Sequence, residues 1–494
     1  MVNKSTILGK QTLKIFNSLG KKKETFKSIN KNRVLMYVCG PTVYDLLHVG
    51  NFRGPIFFNF LRNWLEHLGY SVEYVYNYTD IDDKIINRSN QENKSTKEIS
   101  EQYIDEFKRD YESLKINFPT QTPKCTEHIG DIVRFIEDLI KKKCAYESEG
   151  SVFFSIDKFI DYGKLSGKKP EDLLAGHRVE VNKNKKNPMD FVLWKPSKNN
   201  EPGWDSPWGV GRPGWHIECS AMSSKILGPR IDIHGGGVDL LFPHHENEIA
   251  QSESNFSNRF ANFWIHNNLI NFDNQKMSKS LGNIVKARDF IKENNAEIFK
   301  FLILSVHYRS ILNFNDKILN QTINNLLKIY SSLKLSSKIN ESQIVSNPIN
   351  TYEDYFQNKR QEINAHINND FNTPAALSVI FELVKKFNLL AVNKKVTPEI
   401  KFFSEKFDDF FVLYGGIFGL FQEKRSNFLK SLNNLLLKSR GITEDYIHTK
   451  INDRNLARTK KDFRLSDSIR DELIDLGIEL KDNPDGSTGW YVKI

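Results

Sequence analysis

The chain has 494 residues, 70 Lys plus Arg against 61 Asp plus Glu, and a formal net charge of +9. That length exceeds one ordinary domain and predicts three or four, while four scattered cysteines (Cys39, Cys125, Cys144, Cys219) exclude a disulfide framework and point to a reducing compartment. No apolar stretch reaches membrane length and the first ten residues lack an apolar h-region, so a cytoplasmic protein is expected, whose mild basic excess suits a polyanion such as RNA.

In chain order, an apolar run from Val34 ends at Cys39-Gly-Pro41, and His48-Val-Gly-Asn51 leads into a periodic segment. There Ile56, Phe57, Phe60, Leu61, Trp64, Leu65 and Leu68 form one helical stripe with Gly69 as C-cap. Residues 71–78 read as a second strand. Strand, helix and strand predict a parallel βαβ unit with a site at the carboxyl ends of its strands, where Cys39, His48 and Thr79 fall. Residues 77–86 then open a helix whose Asp82 and Asp83 suit the positive first turn. An amphipathic helix spans 131–143. From 144 to 207 the pattern changes to short apolar runs, turns and basic clusters, read as an insertion between two half-sheets. Gly209-Val-Gly-Arg-Pro-Gly214 matches a dinucleotide-type glycine spacing. It follows a stretch rich in Pro and Gly rather than a strand, so it is read as a flexible approach to Trp215–Ser220.

Next, Ile231-Asp-Ile-His-Gly-Gly-Gly237 is a strand running into a turn where a nucleotide can approach the backbone, with Asp239 available to ribose hydroxyls. Residues 242–251 read as a helix with Pro243 in its first turn. Lys276-Met-Ser-Lys-Ser280 sits in a polar loop before a helical stretch. Residues 331–351, rich in Ser, Asn and Lys, read as a linker. Residues 352–440 are helical in period, Thr373 capping and Pro374 opening one helix. A second linker is read at 441–452. The tail is a helix from Asp462 to Leu476 stopping at Gly477, a short strand, the turn Asn483–Gly486 and Trp490-Tyr-Val-Lys493.

Two groupings carry chemistry. His244 and Glu248, four apart, project from one face of the predicted helix. With the sulfurs of Cys39 and Cys219 they form a donor set that suits Zn2+; a surface pair and two core cysteines are the plainer alternative. His48-Val-Gly-Asn51 at a helix start offers an anion site. Lys276 and Lys279 bracket a loop whose ammonium groups suit a pyrophosphate leaving group. Singly, these also read as a local cap and an ordinary basic loop.

As an ordered set the stretches say more. Cys39-Gly-Pro-Thr-Val-Tyr-Asp45 with His48–Asn51, Gly214–Met222, Asp232-Ile-His-Gly-Gly-Gly237, Phe242–Glu248 and Lys276–Ser280 resemble the cysteinyl-tRNA synthetases, class I aminoacyl-tRNA synthetases. Asn187–Trp194 and Lys461-Asp-Phe463 extend the resemblance over nearly the whole chain. It implies an α/β fold: a Rossmann-type parallel-sheet catalytic domain with an insertion, then a helical bundle and a small α+β C-terminal domain. The implied divisions are a first catalytic half (1–143), a connective-peptide insertion (144–207) and a second catalytic half (208–264). A KMSKS-loop region (265–330), a tRNA-binding bundle (352–440) and an anticodon-binding domain (445–494) follow.

The resemblance also assigns roles. One Zn2+ would be held by Cys39, Cys219, His244 and Glu248. Gly40, Thr79 and Trp215 would bind L-cysteine, and His48, Asn51, His234, Gly236, Asp239 and Lys279 would bind ATP, with Mg2+ accompanying it. His48, Asn51, Lys276 and Lys279 would act in catalysis by positioning and charge stabilisation. Arg458, Asp467 and Asp482 would read anticodon bases of tRNA(Cys). A monomer is expected, with no membrane association. The signature ends in Asn51 where the family pattern has His, so that position donates a hydrogen bond but carries no positive charge. The implied reaction joins cysteine to ATP as cysteinyl-adenylate and passes it to the tRNA 3′ end. Zinc would take the substrate's thiolate and reject serine, a discrimination of ~10⁴–10⁵-fold that needs no editing domain. A related ligase acting on an amino sugar would share the catalytic motifs but not residues 445–494. An RNA-binding module with a structural zinc would have no use for Lys276–Ser280.

Overall fold

Strand β3 shows how the sequence builds this molecule: Val34-Leu-Met-Tyr-Val38 is apolar apart from one phenol, a composition that suits a strand covered on both faces. The computed structural model describes residues 12–168, 183–199, 201–272, 275–276 (backbone only), 285–482 and 487–492. The chain divides into two compact units. The first comprises residues up to Lys292 with Ile303–Asn313 and Asn364–Pro374. The second comprises Glu293–Leu302, Phe314–Ile363 and Ala375–Ile494.

In the first unit the antiparallel hairpin β1 (Lys14–Asn17) and β2 (Lys22–Thr25) precedes β3 (Arg33–Val38), α1 (Arg53–His67) and β4 (Ser71–Tyr76). Beyond them lie α2 (Asp83–Glu92), α3 (Thr96–Ser113) and α4 (Ile129–Lys141). Antiparallel strands β5 (Ala145–Ser148), β6 (Ser151–Phe154), β7 (Phe191–Pro196) and β8 (Gly211–Pro213) form a sheet of their own. Then come α5 (Trp215–Leu227), β9 (Ile231–Gly237), α6 (Glu246–Phe256) and β10 (Ala261–Asn267). The central sheet is parallel throughout with strand order β10-β9-β3-β4. Its register sets Met36 beside Ile233 and Val38 beside Tyr76, so the four strands end within two residues of one another. This is the α/β fold expected. The stripe on α1 is buried as its period predicts, and Gly69 at the helix end has the left-handed φ of +95° that favours glycine. Asp82 caps α2 and Asp83 lies in its first turn.

Three expectations are corrected. The stretch 209–214 is no flexible approach: Gly211–Pro213 is buried and pairs with β7, and Arg212 is nearly buried beside Asp83 and Glu201. A Cβ on Gly214 would meet the Val192 carbonyl oxygen at 2.3 Å, so that glycine serves close packing rather than mobility. The Ser- and Asn-rich stretch at 331–351 is mostly helix, since the helix Asp316–Asn340 runs through it. Its hydroxyls are paired inside the second unit: Ser332 donates to Asn388 at 2.8 Å and Ser336 to Asp408 at 2.9 Å, while Leu333 and Ile339 are buried. Composition suggested solvent where partners from other helices supply the hydrogen bonds. The second linker is equally short, because a helix starts at Glu444 with Thr443 as its cap.

Residues 350–439 are mostly helical, as the period predicts, and the second unit ends in the helices Glu444–Thr459 and Phe463–Asp475 and an antiparallel pair, Ile478–Asp482 with Thr488–Val492. The predicted turn Asn483–Gly486 lies outside the described residues. A buried ion pair between Glu297 and Lys300 (3.6 Å) is completed by Tyr330, which donates to Glu297 at 3.0 Å. Among the described residues, no helix is long and apolar enough to cross a membrane.

Candidate active site and metal centre

The carboxyl ends of β3, β4 and β9 bring the first candidate residues together. As β3 leaves the sheet, the Cys39 amide donates to the Gly235 carbonyl at 3.0 Å, and the Gly40 amide donates to the Asn77 side chain at 2.9 Å. A Cβ on Gly40 would lie 1.7 Å from the Asn77 carbonyl oxygen. Gly40→Ala is therefore expected to push the ends of β3 and β4 apart, costing ~1–3 kcal/mol, which thermal unfolding measures. Thr79 is buried beside this point, its carbonyl accepting from the Val43 amide at 3.2 Å.

Cys219 arrives on α5. His244 and Glu248 come from the segment before α6 and from its first turn. The predicted helix over 242–251 begins only at Glu246: Phe242 is extended (φ −140°, ψ 132°), the Phe242–Pro243 bond is cis, and Leu241–His245 forms a separate turn. The four-residue spacing still works, since that turn sets His244 Nε2 3.1 Å from Glu248 Oε1. Cys39 Sγ lies 3.6 Å from Cys219 Sγ and 3.3 Å from Glu248 Oε1. One donor atom from each of Cys39, Cys219, His244 and Glu248 lies within 4.8 Å of the others, and all four residues are buried.

Their electrostatics are mutually arranged. Burial alone would raise the Cys219 thiol, but the Cys39 hydrogen bond and the His244 imidazole outweigh it and bring it to about 6. Burial would lower His244, yet the Glu248 carboxylate and Cys219 hold it up at about 10. Glu248 is kept well below the usual carboxylate range, against its burial, by His234 and His244. Burial and the neighbouring Cys219 push Cys39 up. Without a metal the His244 imidazolium offsets the Cys219 thiolate and the Glu248 carboxylate; a His244 that ligates a divalent cation is neutral, so binding one at this set would release its proton.

Two histidines support this set from behind. His234 Nε2 lies 2.8 Å from Glu248 Oε2, and its ring stacks on Trp264 at 4.4 Å. His234 is fully buried, so the structure places it against Glu248. Together with Cys39, His245 and Glu248 it completes a second, overlapping donor group. His216 Nδ1 lies 2.9 Å from His244 Nδ1, an outer contact that fixes which nitrogen of His244 faces the set. Sequence reasoning missed His216. The available signal was its position three residues before Cys219 on one helix, which puts both on the same side. Trp215, 40 % exposed, lays its ring 4.5 Å from that of His244.

In the connection from the carboxyl end of β3 to α1, His48 caps a short 3₁₀ turn (Val49–Phe52) that runs into α1. Its Nδ1 accepts from the Gly50 amide at 3.1 Å, so the neutral ring carries its hydrogen on Nε2. Asn51 Oδ1 accepts from the His48 amide at 3.0 Å, which leaves its NH2 as the donor end. The departure from His at this position therefore completes a reciprocal cap. The Val49 amide donates to the Val285 carbonyl and the Ala287 amide to the Leu47 carbonyl, both at 3.0 Å. Gly236 faces His245, whose Cε1 a Cβ there would meet at 2.9 Å, and Asp239 is exposed on the following turn. Lys276 pairs through its backbone with Asn271, and Lys279 lies outside the described residues.

In the tail, Asp482 accepts from both Arg454 nitrogens (2.9 and 3.0 Å), from Arg458 (3.1 Å) and from Thr488 (3.0 Å), and Arg454 above all holds it well below the carboxylate range. Arg458 and Asp482 are thus an ion pair, while Asp467 stands exposed on the helix Phe463–Asp475.

Comparison with known proteins agrees with this architecture. Residues 25–324 match the family described as tRNA synthetases class I (C) catalytic domain, and residues 362–422 match the DALR domain. The cysteine–tRNA ligase of Bdellovibrio bacteriovorus is 48% identical over 481 residues, covering 97% of this chain and 99% of its own. That of Pelobacter propionicus is 44% identical over 492 residues, covering 97% and 100%. Among solved structures, a Mycobacterium tuberculosis methionyl-tRNA synthetase in complex with methionyl-adenylate superposes with a TM-score of 0.62 at 14% identity, over 84% of this chain and 95% of its own, a likeness of fold. With a parallel sheet gathering the signature turn and a thiol–imidazole–carboxylate set at its carboxyl edge, and with full-length relatives at this identity, the chain belongs to the cysteine–tRNA ligase family of class I aminoacyl-tRNA synthetases.

Proposed function

We propose that this chain activates L-cysteine with ATP and transfers it to the 3′ end of tRNA(Cys), with a zinc ion held by Cys39, Cys219, His244 and Glu248 selecting the substrate. The observation that carries the reading is the convergence of those four buried donors, His244 being oriented by His216. Two sulfurs, one imidazole nitrogen and one carboxylate oxygen suit zinc, a borderline-soft ion. Held by these residues, zinc would take a thiol as thiolate as a further ligand and leave serine's hydroxyl a poor substitute.

The chain's own residues supply the rest. Gly40, Thr79 and Trp215 shape the amino-acid pocket, and Gly236 and Asp239 offer the nucleotide a close backbone and a carboxylate. His48, through Nε2, and Asn51, through its amide NH2, orient the phosphates of ATP, which Mg2+ accompanies, at the amino end of the turn leading into α1. The substrate carboxylate attacks the α-phosphorus, forming cysteinyl-adenylate and releasing pyrophosphate, whose charge Lys276 and Lys279 stabilise. The terminal ribose hydroxyl of the tRNA then takes the cysteinyl group and AMP leaves. Arg458, Asp467 and Asp482 belong to the anticodon-reading surface, the Asp482 carboxylate holding Arg458 in place. The chain acts as a monomer, and its free cysteines suit the cytoplasm.

The test is cysteine-dependent ATP–pyrophosphate exchange on the purified protein, with zinc determined on the same sample. Exchange with cysteine and not serine, at about one zinc per chain, is the expected outcome. Exchange without zinc, or equal exchange with serine, would end the metal-selection reading.

A further inference from the structure

One buried carboxyl group beside the donor set has no role in what precedes. Glu218 lies on α5, next to Cys219 in sequence, and is only 1 % exposed. Its Oε2 has no hydrogen-bond partner. Buried polar atoms are almost always paired, and leaving one unpaired costs the full desolvation of the group, so such an atom asks for a ligand. Glu218 lines a cavity of ≈ 240 Å³ together with Trp215, His216 and Asp82. The cations of that lining, Lys195 and Arg212, are already paired with Asp83. The Thr79 side chain and the Cys125 thiol both interact with the same carboxyl group, which leaves Oε2 as its unpartnered oxygen.

We propose that Glu218, steadied by Thr79, receives the α-ammonium group of the amino-acid substrate while its thiol enters the Cys39–Cys219–His244–Glu248 set. This rests on the ligase reading above. In a β-amino thiol two carbons separate sulfur from nitrogen, so an ammonium acceptor must lie within a few ångströms of the thiol site. Adjacent residues on one helix, Glu218 facing the cavity and Cys219 facing the donor set, meet that requirement. An ammonium group brings three donors, enough for the unpaired oxygen and a neighbouring hydroxyl. The acceptor would distinguish an amino acid from a simple thiol, a selection the metal cannot make. Glu218 is then a specificity-determining contact, separate from the residues that hold the metal.

Calorimetric binding to the zinc-loaded full chain separates the two halves of the substrate and needs no turnover. Cysteamine carries thiol and ammonium; 3-mercaptopropionate carries the thiol and no ammonium. Glu218→Gln keeps the size and the Thr79 contact. It should weaken cysteamine about 10–100-fold, as loss of a charge-assisted hydrogen bond does. Its binding of 3-mercaptopropionate, its zinc content and its melting temperature should stay unchanged. Glu218→Asp, which retains the charge on a shorter arm, should recover part of the cysteamine affinity and guards against a misfolded glutamine variant. Equal loss for both thiols, or loss of zinc, would make Glu218 a structural residue and overturn the proposal. Failure of the wild type to support pyrophosphate exchange while cysteamine binding still depends on Glu218 would instead sink the ligase reading and leave this contact standing.

Discussion

Cys219→Ser should lose zinc and cysteine activation together while binding tRNA as before. The thiol sits 3.6 Å from Cys39 Sγ, is brought to about 6 by Cys39 and His244, and lies fully inside the protein. Serine keeps the size and loses the ligand: a hydroxyl stays protonated at neutral pH and is a poor donor to a borderline-soft ion. Removing an outer partner of a metal ligand already costs ~10–100-fold in affinity, and removing a ligand costs more. Zinc per chain should fall from about one to below a tenth, and cysteine-dependent exchange by at least ~10³-fold. Emission spectroscopy on dialysed protein, exchange kinetics and filter binding of tRNA read the three quantities. Full zinc in the serine variant would remove Cys219 from the set.

The second large effect is on stability. Asp370 is fully buried and has a left-handed φ of +68°, a conformation Asp tolerates better than most residues. Its carboxylate accepts from the Phe16 amide (2.8 Å), the Tyr308 hydroxyl (2.7 Å) and two Arg309 nitrogens (2.9 and 2.6 Å), while its own amide donates to the Lys14 carbonyl at 2.8 Å. One side chain thus ties the β1 hairpin, the 303–313 segment and the 364–374 segment of the first unit. Asp370→Ala leaves the Phe16 amide, the buried Tyr308 phenol and the partly exposed Arg309 guanidinium without their acceptor, which costs ~3–5 kcal/mol in total. The melting transition of the first unit should fall by roughly 10 °C. Asn at this position keeps an acceptor and should lose about half as much. A shift under 2 °C on scanning calorimetry of the alanine variant would show that water or relaxation satisfies these donors instead.

What could be seen in the sequence follows from which interactions are local. The strands β3, β4 and β9 announce themselves because apolar runs follow from burial on both faces, and α1 because its stripe repeats every helical turn. Cys39, Cys219, His244 and Glu248 could be named from residue chemistry and ordered motifs, and the structure gathers them within one small volume. What could not be read depends on distant partners. Gly211–Pro213 is a strand only because β7 lies beside it. Ser332 and Ser336 sit in a helix because Asn388 and Asp408 accept their hydroxyl hydrogens. His216 gains significance from one contact with His244, and the Glu218 carboxyl from the absence of one. No window of neighbouring residues contains that information.

The order β10-β9-β3-β4 has a further consequence, for synthesis. β3 ends at Val38, yet β9, which covers its other edge, begins at Ile231, about 190 residues later. At ~5–20 residues per second a ribosome takes on the order of 10–40 s to deliver that distance. Throughout that interval one side of β3 presents unpaired amides and carbonyls, and Cys39 stands without Cys219, His244 or Glu248. The nascent chain therefore emerges with an open, apolar strand edge of the kind that invites pairing with another chain. Folding in the cell should depend on something that shields residues 33–39 until Ile231–Gly237 has emerged.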